Sequence, residues 1–202
     1  VYFSGFIFGC FAVPRLVARI GHVRTFSTLT AAMTTALLLL SMGDNIWVWL
    51  GLRFVCGITI VGLYLVIESW LNSLVSNEVR GGVLAAYTVI VLFGLAIGQL
   101  MLNAAPPDGD RLFVISAMLV VLAAIPICVT RTKQPAEIPS ASFSPMLVIR
   151  TSRAATLGAL ISGMVTGSFY GLGPLFGLEM ELSISQISSM MAMGIVGGAL
   201  MQ

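Results

Sequence analysis

Apolar residues run along this chain in long, nearly unbroken stretches, not in the alternating or every-third-or-fourth patterns of half-buried strands and surface helices. The stretches are Val1–Leu16, Thr25–Met42, Ile46–Val75, Gly82–Asn103, Leu112–Thr130, Ala154–Phe176 and Ile184–Gln202. A helix needs roughly 20 apolar residues to cross a hydrocarbon core about 30 Å thick. A membrane barrel would instead show alternating segments of about 10 residues. The pattern therefore predicts an all-α, polytopic membrane helical bundle with seven visible spans. The chain opens at Val1 and stops at Gln202 inside apolar runs, and no charged stretch precedes the first. The expectation is an internal fragment of a longer chain, without a signal peptide.

Composition sharpens the reading. Hydrophobic residues make up 58% and charged residues 9%, against about 25% charged in a soluble domain. A soluble enzyme is excluded. The net charge of +2 and the lack of a basic run give no footprint for nucleic acid. The lipid bilayer is the implied partner.

Charge placement predicts orientation. Arg15, Arg19, Arg24, Arg80, Arg131, Lys133, Arg150 and Arg153 fall on one set of inter-span segments, and Arg111 alone falls on the other. The Arg-rich side is predicted cytoplasmic, so residue 1 points outward and residue 202 inward. Asp44, Asp108, Asp110, Glu179 and Glu181 mark the outer side. Trp47, Trp49 and Trp70 stand near the two ends of the third span, as an interfacial belt would place them. Residues 131–153 hold Pro135, Pro139 and Pro145 and read as a cytoplasmic linker between two bundles.

Several chemistries find no support. Cys10, Cys56 and Cys128 lie inside spans without metal-ligand spacing and read as small packing residues. His22, the only histidine, falls in a predicted loop and reads as solvated. No metal cluster, cofactor motif or catalytic triad is visible, so an enzyme is not expected.

Charges inside the apolar runs are functional candidates by default, because a central charge costs at least about 2.5–3.5 kcal/mol on insertion scales. Arg53 and Glu68 both lie in the third span. Fifteen residues separate them by about 22 Å along a helix and leave them on one broad face. They are too far apart to pair. Arg53 reads either as a substrate or proton-pathway contact or as a structural arginine bonded across helices. Glu68 reads as a gate residue pairing with Arg80 or Arg24, as a proton carrier, or as an interfacial carboxylate. In the sixth span Ser162, Thr166 and Tyr170 recur every fourth residue and form a candidate cavity stripe, with Gln99 and Tyr87 as weaker candidates. Gly163, Gly167 and Gly171 form an adjacent small-residue stripe, as do Gly5/Gly9, Gly94/Gly98 and Gly194/Gly198. Gly173-Pro174 is expected to interrupt the outer end of the sixth helix.

These residues carry a resemblance. Arg19-Ile20-Gly21-His22-Val23-Arg24 resembles the cytoplasmic loop motif between helices 2 and 3 of the major facilitator superfamily. Arg53 to Gly57 resembles its Arg-xxx-Gly signature on helix 4, and Arg80-Gly81 the opening of helix 5. Gly94 to Gly98 falls where helix 5 is glycine-rich, and the long linker falls where the superfamily places its central loop. Val66–Trp70, Leu84–Tyr87, Gly98–Leu100, Ile161–Gly163 and Tyr170–Leu172 resemble the YcaD-like branch. Ala18 and Pro14 depart from the motif, which carries Asp and Gly there.

The resemblance implies a twelve-helix secondary active transporter of the bacterial inner membrane, monomeric when complete. It would move a small solute by alternating access, with proton coupling. Residues 1–130 would be helices 2–6 of the N-terminal half, 131–153 the central linker, and 154–202 helices 7–8. Arg53, Gln99, Ser162, Thr166 and Tyr170 become substrate or proton-pathway candidates. Arg19, Gly21, Arg24, Glu68 and Arg80 become cytoplasmic gate candidates. The alternative is a non-transporting membrane protein, a receptor or helix-packing partner.

Overall fold

A computed structural model describes residues 1–43, 45–106, 109–129 and 150–201. The expected linker at 131–153 lies outside them up to residue 149. The helices in chain order are α1 (Tyr2–Ile20), α2 (His22–Met42), α3 (Ile46–Leu74), α4 (Arg80–Leu100), α5 (Arg111–Val129), α6 (Arg153–Glu179) and α7 (Ile184–Leu200), with a short 3-10 turn (Met101–Asn103) after α4. The described residues hold no strand. Six of the helices, α4 counted with its 3-10 turn, are long and apolar enough to cross a membrane, and the apolar α7 is shorter. The all-α membrane bundle read from the sequence is the architecture found.

Helix ends follow local chemistry. Asn45 starts α3 by accepting from the Trp47 and Val48 amides at 2.9 and 3.5 Å. Ser152 caps α6 through the Ala155 amide. Ser183 and Gln186 form a reciprocal capping box on α7. Inside the apolar helices, hydroxyls bond their own backbone. Thr25 donates to the Gly21 carbonyl at 2.7 Å, and the buried Thr59 donates to the Val55 and Cys56 carbonyls. This satisfies polar atoms where water is absent.

The chain divides into two compact units, and α4 runs from one into the other. In the first, residues 1–84 and 105–140, α3 packs against both α1 and α2, and α2 packs against α5. The contact of α1 with α3 is backbone to backbone. A Cβ on Gly57 would lie 2.8 Å from the Phe6 amide nitrogen and overlap the Tyr2 carbonyl oxygen. A Cβ on Gly5 would overlap the Phe54 carbonyl oxygen. The Gly5/Gly9 stripe is therefore a packing face, as its spacing suggested. Two apolar clusters fill the unit. One is Val13, Val17, Phe26, Leu29 and Val66; the other is Ala36, Leu40 and Cys56, with Tyr2, Trp49 and Phe113 against it.

In the second unit, residues 85–104 and 141–202, α6 packs against α7, and the end of α4 joins them through Ala96, Ala192 and Ile195 with Phe169 and Tyr170. The glycines at this contact are Gly173 under Met191, Gly177 under Ile187 and Gly194 under the Phe169 ring. Around Gly163, Gly167, Gly171, Gly94 and Gly98 no atom lies within 4 Å of an added Cβ. These stripes are not packing faces among the described residues. Spacing shows where two helices could approach, and the neighbour's position decides where they do.

Two further expectations are corrected. The sixth helix is not interrupted at Gly173-Pro174: α6 passes through Pro174 and ends at Glu179. A proline removes one helix hydrogen bond and crowds the carbonyl four residues earlier, but membrane helices tolerate it where neighbouring groups satisfy the freed backbone. Packing suits Cys56, which is buried, but Cys10 and Cys128 are exposed. The Cys128 Sγ lies 3.2 Å from the Ser27 Oγ.

The Asn103 amide nitrogen donates to the buried Ser188 Oγ at 2.9 Å and to the Leu100 carbonyl at 3.1 Å. Asn103→Ala is expected to destabilise this unit by about 1 kcal/mol. Thermal unfolding of the detergent-solubilised protein checks it.

Candidate functional site

Arg53 sits in the first half of α3, where the chain otherwise offers Leu52, Phe54 and Val55. Its guanidinium carbon lies 4.4 Å from the centroid of the Trp49 ring, one helical turn earlier. The indole face carries negative charge density, and a desolvated cation over it gains about 2 kcal/mol or more. The side chain is half-buried. Its Nε is buried with no hydrogen-bond partner among the described residues. The third-span Trp that reads as a belt residue thus has a second task, since it holds the face of the membrane-embedded cation. Trp47 remains exposed, as a belt residue would. The i, i+4 spacing of Trp49 and Arg53 was the signal that could have shown this.

At the opposite end of α3 lie the gate candidates. Arg19 closes α1, Gly21 joins α1 to α2, Arg24 follows on α2, Glu68 is near the end of α3, and Arg80 opens α4. Gly21 is a one-residue link between two helices, with φ 83° and ψ 168°. That region is open essentially to glycine alone. Its amide donates to the Val17 carbonyl at 2.8 Å, and its carbonyl accepts from the Thr25 amide at 3.1 Å. The Arg-x-Gly spacing has a backbone cause here. Gly21→Ala is expected to cost about 1–3 kcal/mol and to lower the melting temperature while leaving membrane insertion intact.

Arg19, Arg24 and Glu68 are exposed, and Arg80 is half-buried. The expected Glu68 pairing with Arg80 or Arg24 does not form among the described residues. Arg80 instead donates its Nη2 to the Asn72 carbonyl at 3.5 Å, and the Asn72 amide donates to the Glu68 carbonyl at 2.9 Å. Both links end on backbone carbonyls, and the Glu68 side chain is exposed.

His22 corrects a sequence expectation. It is 3% exposed, not solvated. Its Nε2 lies 3.0 Å from the Ser69 Oγ on α3, and its ring centroid is 6.3 Å from that of Trp70. Nothing in the hydrophobic pattern pointed to it, because it stands just outside the second apolar run and its partner is 47 residues away.

The other candidates lie in the second unit. Ser162 and Thr166 are exposed on α6, while Tyr170, two turns after Ser162, meets Phe169 edge-on at 5.4 Å and joins the packed cluster. Gln99 and Tyr87 are half-buried on α4. The structure keeps the Ser162, Thr166, Tyr170 spacing on one helix but divides its environment.

The profile of the Major Facilitator Superfamily matches residues 1–202. The chain belongs to the major facilitator superfamily. Among similar proteins is an uncharacterized MFS-type transporter of Enterobacter sp., 32% identical over 97% of this chain and 53% of the relative. The uncharacterized MFS-type transporter YcaD of Escherichia fergusonii is 31% identical with the same coverage. YcaD of Salmonella newport is 30% identical over 100% of this chain and 53% of its own length. This member of the superfamily thus spans about half the length of the relatives it matches. No solved structure matches. The membership makes it a multi-pass membrane protein whose environment is the bilayer, and the YcaD-like resemblance holds.

Proposed function

We propose that this chain is part of a secondary active transporter of the bacterial inner membrane that moves a small solute by alternating access, coupled to protons. The observation that carries the reading is Arg53: a cation within an apolar span, stacked on Trp49, with a buried Nε that no described residue satisfies. A purely structural arginine would be expected to bond across to a neighbouring helix, as intramembrane charges do. An arginine held on one face by an indole keeps its in-plane donors for an anionic substrate group or a carboxylate that exchanges protons.

In this reading residues 1–130 belong to one half and 154–202 to the other, with 131–153 letting the halves rock about a midplane site. Gln99, Ser162, Thr166 and Tyr170 would contribute polar contacts. Arg19, Gly21, Arg24, Glu68 and Arg80 would close the cytoplasmic side. Residue 1 would face outward and residue 202 inward. The relatives' names as MFS-type transporters support this class over a receptor or packing partner.

The test uses membrane vesicles containing the complete protein, an imposed pH gradient, and labelled organic anions, sugars and amino acids. Uptake of one class that collapses with the gradient supports the reading. A vesicle preparation that matches empty vesicles for every class, in both gradient directions, contradicts it.

A further inference from the structure

We propose that His22 is a positioning residue for the cytoplasmic turn: its ring pins the first turn of α2 to α3 and so fixes where Arg19 and Arg24 stand. The proposal rests on the gate reading above. Four observations carry it. The ring is buried although its chain neighbours Arg19 and Arg24 are exposed. Its polar contact leaves its own helix and reaches Ser69 on α3 at 3.0 Å. The Ser69 hydroxyl donates to the Val66 carbonyl at 3.1 Å. With its one hydrogen directed there, the Ser69 oxygen accepts from the ring, so Nε2 is the nitrogen that carries the proton. Finally, the turn itself has no slack. Gly21 is its only linking residue, and both its amide and its carbonyl are bonded, to α1 and α2 respectively. A turn tied this tightly moves as one piece with the start of α2, so the bond from α2 to α3 sets its place.

The pin predicts a chemical pattern that simple packing does not. A glutamine amide nitrogen can occupy the place of Nε2, whereas leucine fills the space without a donor. The probe is a single cysteine at Val23, which is half-buried beside the pin. Its labelling by a membrane-impermeant maleimide is followed in the complete protein with Cys10, Cys56 and Cys128 replaced by serine. His22→Leu is expected to speed labelling roughly threefold to tenfold, the range that one net hydrogen bond carries. Ser69→Ala should do the same from the other side. His22→Gln should return the rate to within about twofold of the parent, since the donor is kept. Equal labelling in the Leu and Gln variants would overturn the pin. So would a loss of thermal stability in both with no change in labelling. The readout needs neither substrate nor gradient, so a protein that fails every uptake assay still answers it. A failed pin beside intact uptake leaves the transporter reading standing.

Discussion

Replacing Arg53 with alanine in the complete protein is expected to bring uptake to the level of empty vesicles while insertion and yield stay unchanged. The alanine removes the cation and leaves Trp49 without its stacking partner. Because the Nε has no hydrogen-bond partner among the described residues, and the guanidinium stacks on Trp49 of its own helix, the fold should tolerate its loss. Arg53→Lys keeps the charge but not the planar fork, so residual uptake with weakened apparent affinity is expected. Trp49→Leu should lie between the parent and Arg53→Ala, because a desolvated cation over an indole gains about 2 kcal/mol, roughly thirtyfold. Initial uptake rates across substrate concentrations separate these cases. Parental uptake in Arg53→Ala would remove this residue from the pathway. Loss of the protein from the membrane would reveal a structural role instead.

The second large effect concerns packing. Gly57→Val should destabilise the first unit by about 3 kcal/mol, the upper end for overpacking a filled interior. Its new atoms would meet the backbone of Tyr2 and Phe6, which no rotamer change can relieve. Gly51→Val, on the same helix with nothing within 4 Å of its Cβ position, is the internal control and should change stability little. Thermal unfolding of the two variants in detergent decides the matter, and equal losses would deny that α1 and α3 meet backbone to backbone at Gly57. This contact lies one helical turn from Arg53. The Arg-xxx-Gly spacing therefore combines two needs, a cation and the close approach of a neighbouring helix.

The membrane class and the spans were legible because apolar length is set by bilayer thickness and needs no partner to be read. Boundaries moved where local bonding extended a helix. Thus α1 continues past Leu16 and through Pro14 to Ile20, where the Gly21 amide caps it on the Val17 carbonyl. Glycine spacing was informative only in part. Gly5 and Gly9 meet α3, whereas Gly163, Gly167 and Gly171 meet nothing described, and Gly173 and Gly177 carry the α6 to α7 contact instead. A small-residue stripe states that an approach is possible and does not name the partner.

The site was legible in the same uneven way. Arg53 stood out because a charge in an apolar run is costly wherever the helix faces. The role of Trp49 was hidden by a second, equally good reason for an indole at that depth. His22 was hidden because its burial depends on α3 meeting α2 at Ser69, a tertiary event without local periodicity. Glu68 and Arg80 shared an end of the bundle as expected, but sharing an end did not make them partners. The Asn72 carbonyl took the arginine instead.

The most direct test of alternating access is a pair of spin-label distances in the complete protein, one across each membrane face. Ser73 and Arg153, both exposed, report on the predicted inner side; Met42 and Leu178, also exposed, report on the outer side. The account predicts two distance populations at each face that shift in opposite directions when pH is changed, and a shift that Arg53→Ala abolishes. One fixed distance at each face, unmoved by pH and the same in both proteins, would contradict it.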